Sequence, residues 1–574
     1  MIRLSALIGA FVFLCSGLLA TSGCRPSAGA ARAGTAASPA SSLRNIHFVD
    51  VAETAGLRYR WKIEGKRPLN ILQTIGNGCA LLDYNNDGNL DILLVGSKLA
   101  LYQGDGHGHF TDVTHQTGLD TLSGHFLGCA VGDYDNDGFD DIYLSAYRGG
   151  VLLHNEAGKG KREKGKEGAA SPQSPIPSLR VFRDVTKEAG IKPQPWGTST
   201  AFSDIDGSGR LSLYIGNYVR FGPSSLQLCR VNQHLTACGP IAYPPEKGVL
   251  YRNLGKGKFE DVTRSWGADQ AAGKTLGVAF ADYDGSGRQS LALANDEMAG
   301  NLFHNEGGKF VDVGTDAGTA YDRNGSKHGG MGEDWGDYDN DGRLDLLVAT
   351  FQQEVKNIYH NDGSLFTDRA IPLGIAWAAS PYVAFGSKFI DVDNDGWLDV
   401  IFADGHIQDN AAEVENNATF RQPIQLFHNQ GGTDFEDIHA SLIGSAAQPI
   451  VGRGLAIGDF DNDGRMDVLV VDSEGAPLLL HNETPNAGHW LEVTLQGTKS
   501  NRDGIGALVT FETSGRKLLR LCHTDGSYLS ASDRRVHCGL GAATSATIRV
   551  KWPSGHQDIY KDIPADRIVT LTER

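Results

Sequence analysis

The sequence predicts an all-β protein whose main part is a seven-bladed β-propeller, and three observations support this. An Asp-rich motif recurs seven times, seven predicted outer strands begin with Phe-x-Asp, and small residues recur at fixed positions before each Asp-rich motif. Gly contributes 73 of 574 residues with no period of three, which indicates many tight turns. Repetition of one structural unit with variable insertions is typical of propellers.

Composition limits the classes of function. The chain has 52 Lys and Arg against 69 Asp and Glu, which gives a net charge of −17. A nucleic-acid-binding protein is expected to carry a basic surface, so the acidic balance argues against that class. Hydrophobic residues make up 40% of the chain, enough for a sizeable core.

The N-terminus has the pattern of an export signal. A positive end precedes an apolar run at residues 4–20, and small residues then lead to Cys24. This pattern predicts a lipoprotein-type signal peptide at residues 1–23, with a lipid on Cys24, although Thr21 stands where Leu is usual. Ordinary signal cleavage shortly before Cys24 is the alternative. Residues 24–45 are small and polar and predict a flexible tether. The protein is therefore expected to be exported, as a cell-envelope lipoprotein or in secreted form.

The Asp-rich motif has the spacing of a cation-binding loop. In its first copy, oxygen side chains stand at positions 1, 3, 5 and 9, Gly88 stands at position 6, and position 7 offers a backbone carbonyl. Calcium takes 6 to 8 oxygen ligands, which suits this mixed set. An EF-hand would need Glu at position 12, where Leu94 stands within an apolar run that reads as a strand. The motif therefore predicts a calcium loop within a β-hairpin.

Five copies are complete, which predicts about five calcium ions. The predicted ligands are Asp83, Asn85, Asp87, Asn89 and Asp91; Asp133, Asp135, Asp137, Phe139 and Asp141; Asp337, Asp339, Asp341, Arg343 and Asp345; Asp391, Asp393, Asp395, Trp397 and Asp399; and Asp459, Asp461, Asp463, Arg465 and Asp467. The residue at position 7 of each copy contributes only its carbonyl. Two further copies, which begin at Asp204 and Asp282, have Ser at positions 5 and 9. These two loops are expected to bind weakly or to be empty.

The residues around the loops predict how the ring closes. Five positions before each first Asp stand Gly78, Gly128, Ser199, Gly277, Gly332, Gly386 and Gly454, which suit the crowding of an innermost strand. Phe-x-Asp strands begin at Phe48, Phe110, Phe182, Phe259, Phe310, Phe366 and Phe435. The first of them precedes the first loop and none follows the last, so residues 46–51 are expected to complete the last blade. The propeller is thus predicted to span residues 46–485, with no open edge.

The tail, residues 486–574, alternates polar and apolar residues with regular turn signals and predicts a small β-sandwich. The Asp loops resemble the FG-GAP/VCBS repeats of integrin α-subunit propellers. The tail resembles the ASPIC/UnbV domain of bacterial exported proteins and of the vertebrate cartilage acidic protein family. The matching residues are His489-Trp490-Leu491, Ser500 to Ala507, Gly526-Ser527-Tyr528-Leu529-Ser530, His537-Cys538-Gly539-Leu540-Gly541 and Trp552-Pro553-Ser554-Gly555. Cys538 departs from the Phe expected there. The resemblance covers residues 46–574 and implies calcium-binding propellers that act in extracellular interactions.

Cysteines and histidines permit further expectations. Cys229 with Cys238, and Cys522 with Cys538 across a predicted hairpin, are plausible disulfides in an oxidising compartment. Cys79 and Cys129 occupy equivalent repeat positions and are expected to be buried free thiols. The histidines of five blades also occupy equivalent positions, so they are expected to be surface residues rather than one metal cluster; they are His154, His304, His360, His428 and His481.

Three positions before the first Asp of each loop, most copies have Ala. On two adjacent blades the charged residues Asp334 and Lys388 stand there instead. They predict an ion pair facing a water-filled channel, with a ligand site on the axis as the alternative. Residues 157–178 predict a solvated loop, with attachment to acidic glycan or the cell surface as the alternative. Residues 218–248 and 403–409 are candidates for ordered binding loops.

The function predicted from these features is an interaction module that binds an extracellular protein or polysaccharide. The alternative is a polysaccharide-active lyase or hydrolase on a propeller scaffold. No catalytic residue and no organic cofactor site is predicted, since no nucleophile elbow or phosphate-binding Gly loop stands out. No nucleic-acid partner is expected, and contact with a membrane is expected only through a lipid on Cys24.

Overall fold

The computed structural model describes residues 46–158, 180–270, 273–363 and 365–574. The predicted signal peptide, the lipid on Cys24 and the tether lie outside the described residues, and so does most of the predicted loop at 157–178. Within the described ranges, no helix has the length and apolar character needed to cross a membrane.

Seven four-stranded antiparallel units form the larger part of the described chain. From the innermost to the outermost strand they are Cys79–Leu82, Asp91–Leu94, Ala100–Gly104 and Phe110–Asp112 (blade 1); His125–Gly132, Asp141–Gly149, Val151–Ala157 and Arg180–Asp184 (blade 2); Gln194–Ser203, Ser212–Asn217, Val249–Gly255 and Lys258–Asp261 (blade 3); Thr275–Ala281, Ser290–Met298, Asn301–Asn305 and Phe310–Asp312 (blade 4); Glu333–Gly336, Asp345–Val348, Asn357–Asn361 and Phe366–Asp368 (blade 5); Ala384–Ile390, Asp399–Gly405, Arg421–Asn429 and Phe435–Asp437 (blade 6); and Gly452–Gly458, Asp467–Asp472, Leu478–Asn482 and Phe48–Asp50 (blade 7). The all-β, seven-bladed prediction is confirmed.

The ring closes through the first described strand, as predicted. Phe48–Asp50 runs antiparallel to Leu478–Asn482, with Phe48 opposite Asn482. A short strand, Leu442–Ile443, pairs with it in parallel on the outer side. The innermost strands of blades 7 and 1 also contact each other, so the two ends of the array meet. The closing strand therefore carries the core residue Phe48, which is fully buried.

The Phe-x-Asp motif is explained by the turn that follows each outer strand. The Asp side chain accepts a hydrogen bond from the backbone N–H two residues later in all seven blades; the Asp residues are Asp50, Asp112, Asp184, Asp261, Asp312, Asp368 and Asp437. Such Asx turns redirect the chain at the end of a strand. The Phe ring packs inward, so one residue anchors the strand and the other turns the chain.

A repeated Asn fastens neighbouring blades together. Its Nδ2 donates to a carbonyl in the Asp loop of the preceding blade and to a carbonyl in its own loop; the residues are Asn155, Asn253, Asn305, Asn361, Asn429 and Asn482. In blade 1 the equivalent residue is Gly104, so the seam between blades 7 and 1 lacks this amide. A buried amide with both donors satisfied specifies one arrangement of adjacent blades.

Short helices lie in the connections. The α-helices are Ile71–Thr74, Thr114–Thr117, Thr186–Ala189, Gly314–Ala317, Ile375–Ala379 and Ala411–Val414, and the 3₁₀ helices are Leu119–Thr121, Pro240–Ala242, His439–Ser441 and Gly444–Ala447. Three further short strands are Cys229–Val231 and His234–Thr236, which pair with each other, and His328–Gly329.

The C-terminal region forms a two-sheet sandwich, as predicted. One sheet has the order Val536–Gly541, His489–Gln496 and Arg567–Thr572, and the other has the order Arg516–Leu521, Leu508–Thr513, Ser545–Lys551 and Gln557–Pro564. Apolar side chains from both sheets share one core.

The predicted disulfide between Cys522 and Cys538 is wrong, because both are buried free thiols. Cys522 directly follows a strand of the four-stranded sheet, whereas Cys538 lies within a strand of the three-stranded sheet. The residues between them do not form a hairpin. They leave the sandwich and enter the propeller, as described below.

Candidate functional site

The Asp loops are held in shape by hydrogen bonds from their own backbone. In blade 2 the two carboxylate oxygens of Asp133 accept from the N–H groups of Asp137, at 3.0 Å, and Gly138, at 2.7 Å. The Asn at position 4 of each full copy has a φ of 56–61°, and the Gly at position 6 has a φ of 84–93°. These left-handed residues curl the chain so that its side-chain oxygens converge, which explains the Asn-Asp-Gly sequence of the motif.

Predicted ligands meet in groups that could hold a metal ion. In blade 2, the ligand atoms of Asp133, Asp135 and Asp137 lie within 4.8 Å of one another. Asp135 also belongs to a group with Asp141 and His154, and blades 5, 6 and 7 contain equivalent groups. Those equivalent groups are Asp339, Asp345 and His360; Asp393, Asp395 and His428; and Asp461, Asp463 and His481. The carboxylates predicted from spacing are therefore neighbours in space.

The histidines occupy equivalent positions in different blades, as expected, and their side chains are partly exposed, by 11–24%. Each lies against the Asp loop of its own blade, as His154 does with Nδ1 3.2 Å from Asp141 Oδ1. They do not converge on one another, because they sit in different blades. Each of these histidines directly precedes the blade-fastening Asn, and this His-Asn repeat is the sequence signal that could have placed them beside the loops.

Without a cation, the ionised carboxylates of the loops are destabilised by burial and by repulsion from one another. Burial, with the nearby Asp345, raises the pKa of Asp337 to about 8. Burial and the other loop carboxylates likewise raise the pKa of Asp391 to about 7. Burial alone would lower the pKa of His428, yet Asp393 and Asp399 raise it to about 9. A cation among these groups would remove the repulsion.

Protein cations occupy the two degenerate loops. In blade 3 the Arg252 Nε lies 2.7 Å from Asp206 Oδ2. In blade 4 the Lys551 Nζ, from the C-terminal sandwich, lies 2.8 Å from Asp282 Oδ2 and donates to the carbonyl of Gly285, also at 2.8 Å. Each degenerate loop thus pairs one of its two carboxylates with a side-chain cation. That both loops bind metal weakly or not at all stays a prediction.

The C-terminal sandwich covers the face of the propeller that carries the Asp loops. Arg516 donates to the carbonyl of Asp395 at 2.7 Å, in blade 6. Arg535 donates to the carbonyl of Asp459 at 2.6 Å, in blade 7. With Lys551 on blade 4 and the Arg502 N–H on Asn136 of blade 2, the sandwich contacts loops around the ring.

Residues 523–535, here called the axial segment, leave the sandwich and run along the propeller axis. Backbone or side-chain atoms of this segment make hydrogen bonds to the innermost strand of every blade. In blade 1, Ala531 exchanges hydrogen bonds with Cys79 and Leu81; in blade 5, Ser527 exchanges them with Glu333. The central channel is therefore filled by the protein's own chain.

The axial segment explains the small residues on the innermost strands. A Cβ added at Gly78 would lie 1.8 Å from the carbonyl oxygen of Leu529, and one at Gly128 would lie 2.7 Å from the same oxygen. Ser199 stands at the equivalent position of blade 3, where its hydroxyl accepts the N–H of Leu529 at 2.9 Å. The crowding predicted for these positions is present, and at Gly78 and Gly128 the axial segment causes it.

The predicted ion pair between Asp334 and Lys388 is confirmed, at 2.6 Å, with side chains only 1% and 2% exposed. The prediction that it faces a water-filled channel is wrong. Lys388 Nζ also donates to the carbonyl of Asp525 at 3.2 Å, and the N–H of Phe389 donates to Asp334. The pair therefore fixes the axial segment against blades 5 and 6.

A second loop covers the opposite end of the axis. Residues 218–248, here called the cross-blade loop, leave blade 3 and reach the blade 6 connection after Gly405. Asn232 donates to the carbonyl of Val414 at 3.0 Å, and Thr236 donates to Asn410 at 2.8 Å. The predicted disulfide between Cys229 and Cys238 is present within this loop. Gln408 also donates to the carbonyl of Ala237 at 3.4 Å, so the two segments singled out as candidate binding loops touch each other across the ring.

Cys79 and Cys129 are buried free thiols, as predicted. Cys79 Sγ lies 3.8 Å from the carbonyl of Leu469 and Cys129 Sγ lies 3.5 Å from the carbonyl of Cys79. Burial raises the pKa of the Cys79 thiol to about 12, so it stays protonated and unreactive.

Family models match both parts of the chain. A model described as ASPIC and UnbV matches residues 497–574. A model described as FG-GAP-like repeat matches residues 83–144, 282–348, 337–402 and 391–470.

Relatives are found among known proteins. Cartilage acidic protein 1 of Mus musculus is 26% identical over 404 residues, which cover 68% of this chain and 56% of that protein. The protein of the same name from Homo sapiens is 26% identical over 389 residues, covering 65% of this chain and 52% of that protein. The match thus spans about half the length of these relatives.

Two solved structures are similar at low sequence identity. An Agrocybe aegerita lectin that recognises non-reducing terminal N-acetylglucosamine gives a TM-score of 0.39 at 14% identity, covering 69% of this chain and 85% of that one. The exotype rhamnogalacturonan lyase YesX gives a TM-score of 0.35 at 12% identity, covering 77% and 76%. We draw nothing further from likenesses at this level.

Proposed function

We propose that this chain, which combines FG-GAP-like repeats with an ASPIC/UnbV domain, is an exported, calcium-binding interaction module for an extracellular protein or polysaccharide. The observation that carries the proposal is that the chain itself occupies the Asp-loop face and the axis. Within the described ranges, the sandwich leaves the opposite face of the propeller uncovered and open to a large partner.

Calcium fits the donor set of the five complete loops. Asp141 Oδ2 and Asp461 Oδ1 are buried and make no hydrogen bond within the described part of the chain. Unpaired buried carboxylate oxygens are costly, and a hard divalent cation is the group that carboxylate and carbonyl oxygens prefer. When bound, calcium would neutralise the loops and change the formal charge from −17 to −7 for five ions. In this proposal the metal is structural: it stiffens the hairpins on which the sandwich rests.

The open face carries exposed apolar side chains. Each Asp loop joins the first and second strands of a blade, so the connections between second and third strands lie at the other end. The cross-blade loop is such a connection, and it presents Leu226 and Ile241, which are 61% and 83% exposed, with Leu235 nearby. Exposed apolar residues gathered on one loop are typical of a protein-interaction surface.

Export is supported by the disulfide between Cys229 and Cys238, since such bonds persist in oxidising compartments. Whether the protein is a lipoprotein or is secreted depends on Cys24. Mass spectrometry of the mature N-terminus distinguishes the two, because a lipid on Cys24 adds the mass of acyl chains.

An enzymatic role on polysaccharide is the second candidate, and Asp296 on the open face favours it. Burial raises the pKa of Asp296 to about 7, and the Tyr218 hydroxyl donates to its carboxylate at 2.5 Å. Asp296 lines a cavity of about 180 Å³ beneath the cross-blade loop. A carboxyl group with a pKa near neutrality in a cavity is suited to general acid catalysis.

The test is a panel of extracellular proteins and polysaccharides, scored for both binding and cleavage. An open-face variant, L226D/I241D, is compared with a control variant, L254D/L365D, which places the same charges at exposed Leu residues elsewhere on the propeller. We expect binding that the first variant loses and the second retains. Cleavage that D296N abolishes would instead establish the enzymatic role. Binding that survives L226D/I241D would contradict the cross-blade loop as the interaction surface.

A further inference from the structure

We propose that a cationic groove on the open face, formed by residues 58–62 together with Lys98, binds an acidic polysaccharide. This inference deepens the proposed function and rests on it, because it specifies the ligand class of the same face. The groove has a volume of about 560 Å³ and lies between the connection from blade 7 to blade 1 and the inner turns of blades 1 and 2.

The run Arg58-Tyr59-Arg60-Trp61-Lys62 alternates between exposed cations and packed rings. Trp61 is only 5% exposed, and its Nε1 donates to the carbonyl of Val95 at 2.8 Å. The Tyr59 hydroxyl donates to the carbonyl of Lys98 at 2.6 Å, and the two rings pack edge to face with centroids 4.7 Å apart. Since the rings are fixed, the run is fixed as well, and its three cations project to the solvent side.

The charge of the groove is opposite to that of the whole chain. Arg58, Arg60, Lys62 and Lys98 are exposed and line it, whereas Glu64 is the only carboxylate among its described lining residues. Lys62 and Glu64 form an ion pair at 3.5 Å, but both side chains are about 80% exposed, so solvent screens it strongly. Arg58 Nη1 donates to the backbone carbonyl of Glu53 and is not neutralised by a carboxylate there. On a protein of net charge −17, such a patch indicates an anionic ligand.

The spacing of the cations favours a repeating anion. Arg58, Arg60 and Lys62 alternate with two packed rings, so the three cations lie on the solvent side of the run and form a row. Guanidinium groups bind carboxylate or sulfate groups through paired hydrogen bonds. Neutral polar side chains also line the groove: Gln73 and Asn77 donate to the backbone carbonyls of Glu64 and Phe126, and the exposed Ser97 hydroxyl suits a sugar hydroxyl. A carboxylated or sulfated polysaccharide offers both kinds of group along its length.

Single-stranded nucleic acid fits the groove less well. Binding of unpaired bases relies on exposed aromatic rings as stacking surfaces. Here Trp61 is buried and Tyr59 is half-buried with its hydroxyl engaged, so neither ring offers an open face. The cations of the groove are therefore accompanied by polar groups and not by an exposed aromatic ring on which a base could stack.

The experiment measures binding of the calcium-loaded protein to hyaluronan, dextran sulfate, neutral dextran and single-stranded DNA. The groove variant is R58A/R60A/K62A. A matched control is K187A/R264A/R323A, which removes the same three charges at exposed positions in other blades. Melting temperatures of both variants show whether the fold is intact. A third variant, R58K/R60K, keeps the positive charges but removes the planar guanidinium groups.

We expect the wild type to bind hyaluronan, dextran sulfate or both, and not to bind neutral dextran. Comparison of hyaluronan with dextran sulfate shows whether carboxylate or sulfate groups are preferred. The groove variant should lose at least tenfold in affinity, the control less than threefold, and R58K/R60K an intermediate amount. Equal losses in the groove and control variants would overturn the inference, as would DNA binding as tight as polysaccharide binding. If the protein binds a member of the protein and polysaccharide panel that tests the proposed function but no acidic polysaccharide, the inference fails while the proposed function stands. If it binds neither these probes nor any member of that panel, both fail.

Discussion

Substitution of Gly78 by Ala tests whether the axial segment is part of the native core. The added Cβ would lie 1.8 Å from the Leu529 carbonyl oxygen and 2.5 Å from its carbonyl carbon. Ordinary van der Waals contact begins near 3.4 Å, so the backbone of the axial segment must move by about 1.6 Å. That oxygen also accepts the N–H of Cys129 at 3.1 Å, and the movement would break this hydrogen bond. Overpacking costs about 1–3 kcal/mol and a lost buried hydrogen bond costs about 1 kcal/mol, so we expect a loss of about 2–4 kcal/mol.

The assay is urea unfolding in saturating calcium, followed by tryptophan fluorescence, with hydrogen exchange of peptides from residues 523–535. G239A is the matched control, because a Cβ at Gly239 meets no atom within 4 Å and its φ is not in the left-handed region. G78A should lower the unfolding midpoint and speed exchange in the axial segment, whereas G239A should change the unfolding free energy by less than about 0.5 kcal/mol. Equal behaviour of the two variants would refute the placement of the axial segment against blade 1.

Three further predictions follow from the site and the interior. Removing calcium with EDTA should lower the melting temperature, because a ligand at 100 times its Kd contributes about 2.7 kcal/mol per site; an unchanged curve with the metal shown to be gone would exclude the structural role. Burial lowers the pKa of His406 to about 4, so the unfolded chain binds its proton first as the pH falls. The free energy of unfolding of the wild type, relative to that of H406N, should therefore be intact above pH 6.5 and decline by up to about 3 kcal/mol towards pH 4. Urea unfolding midpoints of both proteins across this pH range measure it, and parallel curves for the two proteins would contradict the prediction. K551M should destabilise the protein by about 2 kcal/mol by leaving Asp282 unpaired, and K551M/D282N should recover most of that loss; additive effects in the double variant would show that the pair does not interact.

Much of the propeller could be predicted because each blade repeats the same local constraints. The Asp loops, the Phe-x-Asp turns and the small residues before each loop are all short-range patterns, and their counts define the number of blades. The closing strand followed from the same counts, since the first Phe-x-Asp motif had no other blade to complete.

What the sequence could not show depends on contacts between distant residues that do not repeat. Tyr528 and Leu529 lie in the tail, and their partners, such as Ile75 and Ser199, lie hundreds of residues earlier. No periodicity marks such a segment, so Cys522 and Cys538 seemed to flank a hairpin rather than an excursion into the ring. The histidines were visible as a repeat. Their contact with the Asp loops could not be predicted, because it depends on how closely the second and third strands of a blade lie in space.

The path of the chain also sets an order for its biosynthesis. Asp50 accepts a hydrogen bond from Leu479, which is 429 residues further along the chain, so the first described strand must wait for almost the whole propeller to be made. Residues 523–535 are synthesised later still, and only then can the axial segment fill the central channel of the propeller. A chain that stopped before these residues would leave the innermost strands of all seven blades without the hydrogen bonds that the axial segment makes to them. Synthesis of the tail is therefore the step that completes the packing of the propeller.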